Sequence, residues 1–170
     1  MKKSSTLKNI ALSGIFAAII AVSSLIAVPS PVPFTLQVLA VFLTAGILPL
    51  GCAFAAVLSY ILLGAVGLPI FSGFIGGAAA LFGPTGGFIL SFIAVPFIFA
   101  LLGENKLYAK MFVSLIFCYI LGSLWYMQYT SAESILAVVT VTVLPFVVPD
   151  IIKTVIAVLI IKRLKGRVIF

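Results

Sequence analysis

The chain has 170 residues, of which 64% are hydrophobic and only 8% charged. A soluble domain carries roughly a quarter of its residues as charges, so the composition excludes an ordinary soluble fold and points to an integral membrane protein. The formal net charge of +7 gathers at the ends of apolar segments, which is a topology signal and not a nucleic-acid footprint.

The length accommodates roughly six spans of ~20 residues each, so residues 1–170 are expected to form a single integral membrane domain with no room inside it for a soluble one. Apolar runs predict an all-α membrane protein with spans over 9–28, 34–48, 51–66, 86–102, 108–127 and 149–164. In the first, Ser13, Ala17 and Ala21 recur at every fourth position, with Gly14 and Ala18 on the adjacent strip. Small residues so spaced let another helix approach closely, from this chain or from a partner. The span ends at Pro29-Ser30-Pro31-Val32-Pro33, which cannot continue a helix and forces a stiff extended turn. The second and third spans meet at Pro49-Leu50-Gly51, a connection that leaves only antiparallel neighbours.

Gly67 to Gly87 is dense in glycine, lacks helical periodicity and stays apolar, so a structured loop is expected on the outer side. Its glycines permit positive φ and close backbone approach, which serves either a ligand or tight packing. Without Gly-Lys-Ser/Thr it is not a phosphate-binding loop. Residues 131–144 are apolar but only 14 long before Pro145, which predicts a short re-entrant or interfacial helix ahead of the last span.

Orientation follows from the basic residues. Lys2, Lys3 and Lys8 precede the first predicted span, Lys106 and Lys110 lie between the fourth and fifth, and Lys162, Arg163, Lys165 and Arg167 follow the sixth. With an even number of spans these clusters share one side, which the positive-inside rule assigns to the cytoplasm together with both termini. The proline cluster, the glycine-rich loop and Glu133 then face outward, and Trp125, Tyr126 and Tyr129 fall at the outer interface.

Pro149-Asp150-Ile151-Ile152-Lys153 carries the chemistry. Between Ser134 and Ile161 no other side chain ionises, and a charge in hydrocarbon is costly unless paired or occupied by a ligand. Spacing i, i+3 puts the two on one helix face. Lys153 precedes Lys162 by nine residues, about 13 Å of helix rise, so the pair lies toward the outer boundary. A structural reading stays open, in which Asp150 caps the last helix, following Pro149 in its first turn, and Lys153 snorkels or is its partner. The chain has no His and a single acid within a span, so it lacks the parts for metal or triad chemistry and reads as neither an enzyme nor a cofactor protein. Cys52 and Cys118 sit in different apolar segments and read as small buried hydrophobes.

Four ordered stretches carry a family resemblance that spans nearly the whole chain: Val32-Pro33-Phe34-Thr35-Leu36-Gln37, Leu63 to Phe71, Gly83-Pro84-Thr85-Gly86-Gly87-Phe88, and the Asp150-x-x-Lys153 segment. Together they resemble the BioY family, the biotin-specific substrate-capture (S) components of energy-coupling-factor (ECF) transporters. The resemblance implies a six-helix protein that captures biotin near its outer face. It also implies delivery by reorientation in the bilayer with a transmembrane T component and two cytoplasmic ATPases. Asp150 and Lys153 then correspond to a polar clamp on biotin, and the Ser13, Ala17, Ala21 strip to the face that docks on the T component.

Gln37 lies in the family's Pro-Phe-Thr-Leu-Gln motif, as a ligand contact or a packing residue. Biotin fits such a site, since an apolar bicycle wants apolar walls and its ureido group wants a donor and an acceptor. Asp150 can accept the ureido N–H groups and Lys153 can donate to the ureido oxygen. The glycine-rich segments, with Gly73, Gly76, Gly77, Thr85 and Gly86, offer backbone amides to the carboxylate. Phe71, Phe74, Phe88 and Trp125 are wall or packing residues. Ile75 and Ile89 stand where some relatives carry a polar residue and an Arg, which leaves the carboxylate without an evident cation. An S component for a different vitamin, or a non-transporting membrane scaffold, fits the same composition.

Overall fold

The computed structural model describes residues 2–103, 106–132 and 134–164, with side chains from residue 6 onward. Lys2 and Lys3 as side chains, Glu133, Lys165 and Arg167, all used in the topology argument, lie outside the described residues. The fold is mostly helical, with α1 (Lys2–Leu25), α2 (Gln37–Ile47), α3 (Leu50–Ala65), α4 (Ala78–Leu81), α5 (Gly86–Ser91), α6 (Val95–Leu101), α7 (Leu107–Thr130), α8 (Ile135–Thr142) and α9 (Leu144–Leu164). Among the described residues three stretches are long and apolar enough to cross a membrane, Thr6–Leu25, Leu107–Thr130 and Ile135–Leu164, while Gln37–Ile47, Leu50–Ala65 and Gly86–Leu101 are shorter. The 11 residues of α2 give about 17 Å of rise, short of the ~30 Å hydrocarbon layer.

The proline cluster forms a hairpin. Ala27–Val28 (β1) pairs antiparallel with Phe34–Thr35 (β2), and Leu36 N–H closes the base on the carbonyls of Ser23 and Ile26. Helix α1 therefore ends before residue 28 and α2 begins after residue 34, because the prolines between them lack the N–H groups a helix ladder needs.

Two further prolines shape the second half. Pro96 falls in the first turn of α6 and has no N–H for the Phe92 carbonyl, so the chain tightens into a 3₁₀ turn, Phe92–Ala94, where Val95 N–H takes that carbonyl. Pro145 cannot donate to Val141, and the chain breaks for one residue at Val143 (φ −124°, ψ −59°) between α8 and α9. The last helix thus begins at Leu144 and not at Pro149, which lies inside it. This corrects the placement of Asp150 in a first helical turn: Pro145 holds that position, and Asp150 sits deeper, where it caps nothing.

Helix α1 packs on α3 and α2, α2 on α9 and α6, and α7 on α5, α6 and α8. Close approach depends on glycine where rings meet backbone. A Cβ at Gly122 of α7 falls 2.2 Å from the Phe88 ring of α5, and one at Gly64 falls 2.1 Å from Phe71. Outward faces are apolar, including Ile15, Val22, Phe112, Ile116, Ile151, Ile152 and Leu159, as expected of surface that meets lipid and not water. On α9 the inward set is Asp150, Lys153, Ala157 and Ile161, one stripe at helical spacing. Cys52 and Cys118 are both buried and free.

The short Leu48-Pro49 link between α2 and α3 shares one end of the bundle with Lys110 and Lys162, all of them lining a single cleft. There Lys110 lies over the Phe99 ring at 5.9 Å and Lys162 over Tyr108 at 5.4 Å.

Candidate functional site

The two buried charges meet in a cavity under the hairpin. Lys153 Nζ donates to Asp150 Oδ1 at 2.7 Å, with the carboxylate side chain 2% and the lysine side chain 10% exposed. Tyr119, reaching across from α7, donates its hydroxyl to Asp150 Oδ2 at 2.7 Å, and Thr154 Oγ1 donates to the Asp150 carbonyl. Both carboxylate oxygens therefore hold a donor, which is how a charge is kept in an apolar bundle.

Around them lies a partly enclosed cavity of about 70 Å³, space for a few waters but tight for a larger ligand. The hairpin supplies Val32, Pro33 and Thr35, and Gln37 and Val38 come from the start of α2. Ser72 and Thr85 come from the glycine-rich region, and Phe88, Ile89 and Phe92 from α5 and the 3₁₀ turn. The opposite wall is Leu115, Cys118 and Tyr119 of α7, Thr142 of α8, and Phe146, Asp150 and Lys153 of α9. Among the described lining residues only Asp150 and Lys153 are charged, so the lining is net neutral. It suits a ligand with an apolar body and a polar edge that both donates and accepts.

Neighbouring contacts hold this shape. Gln37 Nε2 donates to Tyr60 Oη at 2.9 Å, which fixes the amide and leaves its oxygen as an acceptor. Phe34 stacks on Phe146 with centroids 4.3 Å apart and planes at 18°, so the hairpin rests on the first turns of α9. Ser123 and Thr142 hydroxyls bond at 2.7 Å between α7 and α8. Ser24, buried in α1, donates to the Ile70 carbonyl and so ties the glycine-rich segment to the bundle.

Of the residues singled out from the sequence, Asp150, Lys153, Gln37, Thr85 and Phe88 converge on this cavity. Others lie elsewhere. Phe71 is 2% exposed and packs edge-on against Tyr60, and Phe74 is 69% exposed. Gly73 and Gly76 line a neighbouring groove with Phe71 and Phe74. Gly77 (φ +95°) is the N-cap of α4. Gly86 packs against Leu81 and Trp125, and Trp125 donates its indole N–H to the Gly83 carbonyl at 2.9 Å. Ser13 and Ala17 are buried against the chain's own α3, with Ser13 Oγ donating to the Cys52 carbonyl at 3.1 Å. Ala21 is partly buried on the same core, whereas Gly14 and Ala18 are exposed.

Sequence reading did not single out Tyr119, Thr142, Ser72 or Phe146. The available signal for Tyr119 was a hydroxyl-bearing ring in mid-span, which needs a partner when buried.

Comparison with known proteins gives a consistent result. Biotin transporter BioY of Thermotoga maritima is 44% identical over 159 residues, covering 90% of this chain and 93% of its own. A protein of Pyrococcus horikoshii named "Probable biotin transporter BioY" is 40% identical over 162 residues, covering 94% and 98%. A crystal structure at 2.1 Å of the S-component for biotin from an ECF-type ABC transporter superposes with a TM-score of 0.87 at 26% identity, covering 99% of this chain and 96% of that one. The model of the BioY family matches residues 1–169; with two relatives at this identity along nearly its full length, this chain, a membrane protein, belongs to the BioY family.

Proposed function

We propose that this chain is the substrate-binding subunit of a biotin uptake system and that the cavity under the hairpin is its biotin site. The observation that carries the reading is the buried, doubly hydrogen-bonded Asp150 beside Lys153, in an otherwise apolar cavity of a BioY family chain. One ureido N–H takes a remaining lone pair of Asp150, and the ureido oxygen beside it accepts from Lys153. Gln37 and Thr85 supply further polar contacts, and Phe88 with Phe146 encloses the apolar bicycle. Mass spectrometry of the small molecule released from purified protein tests the assignment: biotin supports it, and another vitamin or no small molecule contradicts it.

The finer architecture belongs to the same proposal. Six membrane crossings are formed by α1, α2, α3, the α5–α6 unit, α7 and α9, with α8 as a short helix packed on α7. Both termini and the basic end of the bundle face the cytoplasm, and the hairpin and glycine-rich loop face outward. A cysteine placed at Ser30, which is exposed, tests this orientation, because both native cysteines are buried. Labelling in intact cells by a membrane-impermeant thiol reagent supports it, and labelling only after permeabilisation contradicts it. The chain works with an ECF T component and two ATPases, and α1 meets the T component through the exposed Gly14 and Ala18 strip, since Ser13 and Ala17 are covered by α3.

A further inference from the structure

The carboxylate of Asp150 is shared between two elements, and this division of its oxygens has a consequence for what the cavity accepts. Oδ1 receives the Lys153 ammonium, from the same helix, and Oδ2 receives the Tyr119 hydroxyl, from α7, each at 2.7 Å. A carboxylate has about four lone-pair sites, so two remain for ligand N–H groups. Its charge, however, is already balanced by Lys153, and the oxygen that Lys153 leaves is covered by a neutral phenol. A cationic ligand therefore meets an ammonium and an oxygen that already holds a donor, while a neutral urea finds acceptors and a donor ready.

We propose that Tyr119 is a specificity-determining residue: its hydroxyl covers Asp150 Oδ2 and so makes the cavity select a neutral cyclic urea over a cationic ring of the same shape. Tyr119 lines the cavity beside Cys118 and Leu115, close enough for its hydroxyl to border the ligand as well as the carboxylate. Removing that hydroxyl leaves a buried carboxylate oxygen with no protein donor, and such an oxygen gains most from a charged donor. Discrimination against the cation is thus built by the Tyr119 hydroxyl drawing on the negative charge that Oδ2 presents, while the lone pairs that remain still accept a neutral ureido N–H.

The inference rests on the biotin reading, and the test separates the two. Labelled biotin bound to purified protein is competed at neutral pH with biotin and with 2-iminobiotin, in which a protonated imine replaces the ureido oxygen. The wild type is expected to prefer biotin by at least about thirtyfold, and Tyr119→Phe to shift the ratio toward 2-iminobiotin by about tenfold or more. A purely structural role for Tyr119 weakens both ligands together and leaves their ratio unmoved. A Tyr119→Phe protein that binds biotin with the wild-type ratio overturns the proposal. So does a wild type that takes 2-iminobiotin as tightly as biotin, an arm that needs no variant to fold. A wild type that binds no biotin overturns the biotin reading itself, and this inference with it.

Discussion

Lys153 reaches back one turn along α9 to Asp150, Nζ to Oδ1 at 2.7 Å, and the two form the only ion pair among the described residues inside the bundle. An unpaired charge at mid-membrane costs about 2.5–3.5 kcal/mol on insertion scales, and stranding one member of a buried pair costs about 3–5 kcal/mol. Lys153→Ala is therefore expected to lower biotin affinity by at least about tenfold and to reduce thermal stability in detergent. A double change, Asp150→Leu with Lys153→Met, is expected to recover stability but not binding, because apolar side chains of similar volume can replace a buried pair without penalty. Melting temperatures and biotin titrations of both variants and the wild type check this; a double variant less stable than Lys153→Ala contradicts it.

Gly122 sets the position of Phe88. With the Phe88 ring 2.2 Å from where a Cβ at Gly122 falls, Gly122→Ala must push the ring out of its place in the cavity wall. Overpacking of this kind costs about 1–3 kcal/mol. The expected outcome is a lower melting temperature together with weaker biotin binding. Unchanged affinity in the folded variant indicates that Phe88 is not a wall of the site.

The Phe34–Phe146 stack holds the hairpin over the cavity, whose free volume of about 70 Å³ is tight for a bicyclic ligand. An aromatic pair contributes about 0.5–1.5 kcal/mol beyond its area. Phe34→Ala is thus expected to raise the biotin dissociation rate by up to about tenfold, with little change in melting temperature. Stopped-flow displacement of labelled biotin measures this, and an unchanged rate removes the hairpin from the release step.

On α1 the two strips of small residues differ in burial, and the proposed docking uses the exposed one. A Cβ at Gly14 meets nothing within 4 Å, whereas Ala17 is 5% exposed in the core. Gly14→Phe is expected to cut biotin uptake in cells carrying the energising subunits by about tenfold or more while leaving binding to the isolated chain intact. Ala17→Phe is expected to impair the isolated chain itself. Normal uptake by Gly14→Phe contradicts docking through this strip.

The sequence made the charged pair legible because two ionisable groups in an apolar run have few innocent explanations. The end of α1 at the proline cluster and the tight α2–α3 link were legible because proline chemistry needs no tertiary context, whereas the pairing that closes the cluster into a hairpin was not. The start of α9 was not. Pro145 and Pro149 both suit a first turn, and the choice was made by the one-residue break at Val143. Tyr119 was hidden because its partner lies 31 residues away, and a tyrosine in mid-span serves packing equally well. Phe71 and Phe74 were aromatic enough to be walls, but an irregular loop has no period to say which way a ring points, while Trp125 of α7 turns to the Gly83 carbonyl, a partner 42 residues away. Spacing on α1 announced close packing with this chain or a partner and the resemblance named the T component, but spacing alone does not say which face the chain's own helices cover; Ser13 of that strip bonds to α3.

Equilibrium binding of labelled biotin to the purified chain alone, compared with Asp150→Ala, tests the central claim most directly. The account predicts saturable binding to the wild type that thiamine and riboflavin do not displace, and its loss by at least about tenfold in the variant. Absence of saturable biotin binding, or full affinity without the Asp150 carboxylate, contradicts it.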